Sequence, residues 1–204
     1  MTTSTYNRRR FLLEDMSQLE TRGISCLGCS GVCCTDMANS MMVTPIEMVD
    51  LYSYLKKDSS SLNDLKEKMQ LTNLKYKLDI LPPGIKKKSQ FRRTYTCPFF
   101  LGSEFGCPLP RDVKPYGCLG FNRRKKEADI DQDCWSKKEI LETQVKANNE
   151  ALLNEWIKQD LALDWDKEYI PLAVIKFIEL FGQEGPSFEN FLQRARLTAP
   201  YPLD

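Results

Sequence analysis

Four cysteines lie within nine residues near the start of the chain, in the run CLGCSGVCC at positions 26–34. Glycine and serine residues between the cysteines interrupt any helical or strand period, so we expect this run to be a loop. Glycine also permits the positive-φ turns that let a loop direct several sulfur atoms towards one point. The run constrains the fold strongly, because it interrupts regular secondary structure and places half of the eight cysteines in one loop.

The chain of 204 residues contains no histidine. Histidine is the commonest nitrogen ligand of zinc and the side chain that most readily exchanges a proton near neutral pH. A metal site in this chain must therefore be built from thiolates, with or without a carboxylate. Any general base must be an Asp, Glu, Lys, Tyr or Cys side chain.

Three roles are open to the cysteines. Structural disulfides suit an oxidising compartment, whereas we expect a cytoplasmic protein, because Glu14 and Asp15 interrupt the apolar stretch that an export signal needs after the arginines at 8–10. Free cysteines can also fill a core as small apolar residues, but four in one Gly- and Ser-rich loop do not form an apolar face. We favour metal binding, because closely spaced thiolates are typical metal ligands.

The spacing leaves two kinds of metal centre open. A four-cysteine zinc ribbon normally has two C-x2-C pairs, and this chain has only one, Cys26 and Cys29. The later cysteines are isolated in the sequence: Cys97, Cys107, Cys118 and Cys134. Several sulfurs from one loop with a distant further ligand are more typical of iron–sulfur ligation, so the pattern favours a [4Fe–4S] cluster over zinc.

Cys33 and Cys34 are adjacent, and neighbouring side chains tend to project in different directions. One of them can therefore bind while the other packs, or each can serve a separate centre. Eight thiols would suffice for two four-sulfur sites. We favour a single centre with spare cysteines.

Five short motifs follow one another in a recognisable order: CLGCSGVCC (26–34), TPIE (44–47), CPFFL (97–101), CPL (107–109) and KPYGC (114–118). In this order they resemble the YkgJ-type cysteine-cluster family, which is described as a zinc- or iron-chelating domain. The resemblance covers about residues 22–122. A similar cysteine-rich module occurs in the larger flagellin lysine methylases.

The resemblance implies a set of metal ligands: Cys26, Cys29, Cys33, Cys34, Cys97, Cys107 and Cys118. Cys134 is the weakest match to the family pattern. Lys114 and Leu119 stand where the family typically has arginine, so a role that depends on a bidentate guanidinium does not carry over to this chain.

Outside the cysteine motifs the patterns are mainly helical. TPIE predicts a capped helix from Pro45 to about Lys57, and apolar spacing predicts helices near 9–20, 62–74, 171–181 and after Ser187. From Trp135 onward we again expect helices, with an apolar face formed by four residues: Leu141, Val145, Leu152 and Trp156. Prolines and glycines crowd residues 82–118, which predicts loops rather than helix, with a short strand around 91–97.

We therefore predict a mainly α fold: a small single-domain helical protein with an irregular cysteine-rich metal-binding core and one short β-hairpin. The predicted parts are an N-terminal lead-in (1–21), a cysteine-cluster metal-binding domain (22–134) and a C-terminal helical extension packed on it (135–204). Residues 1–126 carry a net charge of +9 and residues 127–204 of −8. This asymmetry indicates either two oppositely charged faces or cations placed around a negative thiolate–metal centre.

We expect a cytoplasmic metal-binding protein whose iron–sulfur or zinc centre ties the loop 26–34 to the segment 97–118. One alternative is a methylase-like enzyme that uses S-adenosylmethionine, which only the resemblance implies, so enzymatic activity stays undecided. The other is a metal storage or delivery protein. We expect no membrane span, because no apolar run is long enough, and no nucleic acid partner, because the basic runs at 86–93 and 123–126 lack a reader motif. A protein partner is left open.

Overall fold

The computed structural model describes residues 5–22, 31–86, 91–123, 134–136, 150–182 and 187–199. Seven α-helices lie within these ranges: α1 (Thr5–Thr21), α2 (Pro45–Leu55), α3 (Leu62–Tyr76), α4 (Tyr116–Gly120), α5 (Glu150–Asp160), α6 (Ile170–Phe181) and α7 (Phe188–Thr198). The fold is mainly α, as predicted. None of the helices within these ranges is long and apolar enough to cross a lipid bilayer.

Two pairs of short strands accompany the helices. Strand β1 (Met42–Val43) pairs antiparallel with β4 (Glu168–Tyr169), with Met42 opposite Tyr169. Strand β2 (Phe121–Arg123) pairs antiparallel with β3 (Cys134–Ser136). The first pair joins the start of α2 to the start of α6.

Helix α2 begins as its sequence predicts. The Thr44 hydroxyl accepts a hydrogen bond from the backbone N–H of Glu47 at 3.4 Å, and the Glu47 carboxylate accepts one from the Thr44 N–H at 2.8 Å. These two bonds form a capping box that satisfies N–H groups left without partners inside the helix. Pro45 occupies the first turn, where its missing N–H costs nothing. The helix ends at Leu55, two residues before the predicted end, and passes into a 3-10 segment, Lys56–Ser61.

The main core lies between α2, α3, α5, α6 and α7. Helix α6 is buried on most sides, as predicted, and packs against α3. Tyr52 of α2 contacts the rings of Phe177, Phe181 and Phe188, at centroid distances of 5.0–5.7 Å. Burying each such aromatic ring stabilises the fold by about 1.5–3 kcal/mol. Residues between 43 and 109 and residues between 153 and 195 belong to this one core.

Two predictions about the second half of the chain are wrong. Trp135 lies in strand β3 and not in a helix. On α5, Leu152 is 53% exposed, while Leu153 and Ile157 are buried. Packing of α5 against α2 buries Leu153 and Ile157 in place of Leu152. Trp156, which was predicted on the same face as Leu152, is half-buried and packs against Phe191 at a centroid distance of 6.0 Å. Leu141 and Val145 lie outside the described residues.

The segment 82–118 also differs from its prediction in two places. Residues 91–97 form no strand, because their backbone bonds with the loop at 34–39 rather than with a neighbouring strand. The end of the segment is helical, because α4 begins at Tyr116 directly after Pro115. Proline is well suited to that place, since its fixed φ matches a helix start and its missing N–H is not needed there.

Candidate functional site

Hydrogen bonds join the loop that carries Cys33 and Cys34 to the segment that carries Cys97. The Cys97 N–H donates to the Cys34 carbonyl oxygen at 2.7 Å, and the Tyr95 N–H donates to the Asn39 carbonyl oxygen at 2.9 Å. The buried Asn39 amide adds a bond of 2.8 Å to the Tyr95 carbonyl oxygen. These bonds satisfy the peptide groups of two irregular segments that have no regular secondary structure to do so.

Gly31 allows the loop that carries Cys33 and Cys34 to approach the segment after Cys97 closely. Its φ is +70°, a left-handed conformation that favours glycine. A Cβ atom at this position would lie 2.2 Å from the Phe100 ring. The loop therefore packs directly on the residues after Cys97, at a distance that only glycine permits.

A second set of contacts places the turn that carries Cys118. The buried Glu47 carboxylate accepts a hydrogen bond of 2.7 Å from the Tyr116 N–H, while its other oxygen completes the capping box. The Arg9 guanidinium of α1 donates to the Lys114 carbonyl oxygen at 3.0 Å. The chain just before Cys118 is thus held by α2 on one side and by α1 on the other.

The three segments bring five cysteines to the wall of one cavity of about 60 Å³: Cys33, Cys34, Cys97, Cys107 and Cys118. All five are free thiols. Cys97 is buried and the other four are half-buried. The remaining wall is mostly apolar, with Lys114 as its cationic side chain: Met16, Gly31, Asn39, Met41, Phe100, Gly106, Leu109, Lys114, Pro115 and Ile170.

Sharing a cavity is not the same as forming a ligand shell. A metal ion needs several donors at bonding distance from one point. Among the described residues, no group of three or more Cys, Asp or Glu side chains is arranged in that way. The five described cysteines therefore line one cavity, but no three of them are placed to bind one metal ion in this structure. Cys26 and Cys29 lie outside the described residues, and Cys134 belongs to strand β3.

Burial and neighbouring thiols raise the pKa of three of these thiols: Cys33, Cys97 and Cys118. Burial raises the pKa of Cys97 to about 12 and raises the pKa of Cys118 well above its ordinary value, and the neighbouring thiols act in the same direction. The pKa of Cys33 is raised first by its hydrogen bond with Cys34 and then by burial. The Lys114 ammonium opposes the rise in the pKa of Cys33 and Cys118, because a nearby positive charge favours thiolates.

Several residues around the cavity were not singled out from the sequence. Arg9 is one of three consecutive arginines, and nothing in the local pattern distinguishes this fully buried side chain from that of Arg10, which is exposed. Asn39 and Met41 lie in a polar stretch without periodicity. Glu47 was identified as a capping residue, but its bond to Tyr116 joins residues too far apart for local reasoning to pair.

Comparisons with known protein families, with curated proteins and with solved structures find no match to this chain. The resemblance to the YkgJ-type family therefore rests on the order and spacing of the five motifs, and it stays a prediction.

Proposed function

We propose that the protein is a cytoplasmic metal-binding protein that holds an iron–sulfur cluster or a zinc ion through cysteine thiolates. The observation that carries the proposal is the shared cavity, where free thiols from the loop at 33–34, from Cys97 and Cys107, and from the turn at Cys118 meet. Thiols scattered through a core as apolar filling would have no reason to collect around one space.

The chemistry of the donors fits these metals. Thiolates are soft ligands that select zinc, Cu(I) or iron–sulfur clusters over magnesium or calcium. The wall also carries the thioethers of Met16 and Met41. Cys26 and Cys29 join the proposed ligand set through their C-x2-C spacing. Because the described thiols are not closed on one point, binding would require cysteine side chains to turn towards each other by rotation about χ1.

Such a centre would stabilise the fold and would release protons as it forms. Ligating thiols must lose their protons, so metal binding couples to pH and adds its free energy to that of folding. The positive charge of the metal and of Lys114 would compensate the thiolates that burial alone disfavours.

A second candidate function is metal storage or delivery. Cys34 and Cys107 are half-buried, and solvent access to thiolates favours ligand exchange. Competition with a chelator separates the two candidates: a structural centre would exchange slowly and with loss of structure, whereas a delivery site would release its metal while the helices persist. Among the described residues no observation favours the S-adenosylmethionine alternative.

Anaerobic purification, followed by metal and sulfide analysis and an absorbance spectrum, tests the proposal directly. A brown protein with iron, acid-labile sulfide and a broad visible band identifies a cluster. A colourless protein with stoichiometric zinc identifies a zinc site. If neither metal binds in stoichiometric amount, even after anaerobic reconstitution with iron and sulfide or with zinc, the proposal is wrong.

A pair of variants tests whether the metal binds in the cavity. Cys118→Ser replaces a thiol of the cavity wall by a hydroxyl of similar size that is a poor ligand for soft metals. Val113→Thr is the matched control, because it places a hydroxyl at a buried position five residues before Cys118 that does not line the cavity. We expect Cys118→Ser to lose most of the bound metal and Val113→Thr to keep it. Equal metal content in the two variants would contradict the assignment.

A further inference from the structure

Helix α1 contributes Met16 to the wall of the thiol cavity, and this side chain is 6% exposed. Met16 also packs against Tyr116 and Leu119 of α4, and the half-buried Leu13 packs against this cluster. Helix α1 thus rests on the short helix that carries Cys118.

The second anchor of α1 is Arg9, whose side chain is fully buried. Its Nη1 atom lies 2.7 Å from an Asp50 carboxylate oxygen of α2, and its Nε atom donates to the Lys114 carbonyl oxygen. The guanidinium also lies over the Tyr116 ring, 4.7 Å from its centroid. Charge-assisted bonds of this kind are stronger than neutral ones, and their strength increases as water is excluded.

The described apolar side chains of α1 pack in a cluster apart from the main core, and Arg9 links the helix to Asp50 of α2. Of the described side chains, those in the main core come from residues 43–109 and 153–195, and those of α1 belong to the small cluster with Tyr116 and Leu119. Elements held by few apolar contacts open with a lower free energy than the elements of a large core. The opening of α1 would therefore leave α2, α3, α5, α6 and α7 packed together.

We propose that α1 is a lid on the thiol cavity and that Arg9 is the latch that keeps this lid closed. When the Arg9 contacts break, α1 leaves α4, the Met16 wall is removed, and soft metal ions or thiol reagents reach Cys97 and Cys118. The inference goes beyond the proposed function, because it concerns access to the thiols and holds for whatever they bind.

The test uses reduced, metal-free protein and the reagent 5,5′-dithiobis(2-nitrobenzoic acid). In this reaction a protein thiolate attacks the reagent disulfide, a mixed disulfide forms, and thionitrobenzoate leaves and is measured by its colour. Mass spectrometry of peptides then gives separate labelling rates for Cys97 and Cys118. The effect of α1 on thiol labelling can be measured even if the protein binds no metal. Failure of this inference can therefore be distinguished from failure of the proposed function.

Arg9→Met and Arg10→Met form a matched pair of variants. They remove the same charge from adjacent positions of α1, but the Arg10 side chain is 51% exposed and pairs with Glu14 at the surface at 3.7 Å. In Arg9→Met we expect the reagent to label Cys97 and Cys118 at least roughly tenfold faster than in the unmodified protein. The reason is that this variant loses hydrogen bonds of a charged group, whose energies correspond to a change of that magnitude. In Arg10→Met the same two cysteines should be labelled at the rate measured in the unmodified protein. Equal rates in the two variants would overturn the inference.

A measurement on the unmodified protein covers the case in which Arg9→Met does not fold. Hydrogen exchange and thiol labelling are followed together at increasing urea concentrations below the main unfolding transition. The inference requires the amides of α1 and the thiol of Cys118 to open together, before the amides of α6. If α1 exchanges early while Cys118 stays unlabelled, or if α1 opens only together with α6, α1 is not a lid.

Discussion

The backbone N–H of Cys97 donates a hydrogen bond of 2.7 Å to the carbonyl oxygen of Cys34. This bond joins the two cysteine-bearing segments through their peptide groups. From the sequence, a metal centre was expected to tie these segments together. The described contacts indicate that peptide and amide hydrogen bonds already bring them together, so the proposed metal would add to a contact that the polypeptide makes itself.

The close packing of Gly31 on Phe100 can be tested with alanine. Gly84 is the matched control, because its φ is +83° and nothing lies within 4 Å of a Cβ placed there. Gly84→Ala should cost only the strain of the left-handed conformation, about 1–2 kcal/mol. Gly31→Ala should cost about 1–3 kcal/mol more, because the added methyl group overlaps the ring. Urea unfolding measures both values, and equal losses would show that the loop does not pack on Phe100.

Asn39 is predicted to stabilise the junction between the two segments. Its amide donates to the Tyr95 carbonyl oxygen, and its carbonyl oxygen accepts from the Met41 N–H at 3.0 Å. Asn39→Ala should lower the free energy of unfolding by about 2–4 kcal/mol, because the buried Tyr95 carbonyl oxygen and the half-buried Met41 N–H lose their partners. The control, Asn73→Ala, removes an exposed bond to the Asp79 N–H and should cost less than about 1 kcal/mol. Similar losses for the two would contradict a special role for Asn39.

Glu47 is predicted to contribute more than a helix cap. Thr44→Ala removes the hydroxyl half of the capping box and should cost about 1 kcal/mol. Glu47→Ala also removes the acceptor for the buried Tyr116 N–H, and should cost about 1–3 kcal/mol more than Thr44→Ala. Chemical denaturation measures both losses. If the two variants lose the same stability, the bond between Glu47 and Tyr116 does not support the turn at Cys118.

The surface pair of Lys56 and Glu189 should make a pH-dependent contribution to stability. The Lys56 ammonium first, with the backbone and hydroxyl donors at the start of α7, lowers the pKa of Glu189 from 4.5 to about 2. A carboxyl whose pKa falls on folding stabilises the protein above its unfolded pKa. This contribution is therefore present above pH 4.5 and is lost as the pH falls towards 2.

The measurement is the difference in urea midpoint between the unmodified protein and Glu189→Gln across this pH range. The difference should be small, because the Glu189 side chain is 68% exposed, and it should shrink further in high salt. It should decrease steadily below pH 4.5. A difference that stays constant down to pH 2 would show that the pair does not form.

Features that depend on neighbours in the sequence could be predicted well. The capping box at Thr44 and Glu47 and the cap at Ser187 use hydrogen bonds between residues three positions apart. The buried helix α6 follows from a run that is apolar on nearly every side. The cysteine motifs also contain the five thiols that line the cavity.

Features that depend on which distant surfaces meet could not be predicted. Two apolar pairs on α5 have the same spacing, and only packing against α2 decides that Leu153 rather than Leu152 is buried. The strand pairs and the bonds of segment 95–97 to the loop at 34–39 involve partners far away in the chain.

The sequence by itself determined that the chain is mainly helical, where most of its helices begin, and that its cysteines are grouped in short motifs. Only the tertiary structure decided that five of these thiols share one cavity, that Glu47 and Arg9 hold the turn at Cys118, and that α1 closes the wall. The reason is physical. Helix starts and loops are set by bonds within a few residues, whereas a cavity is set by the packing of segments whose side chains meet only after the whole core has formed.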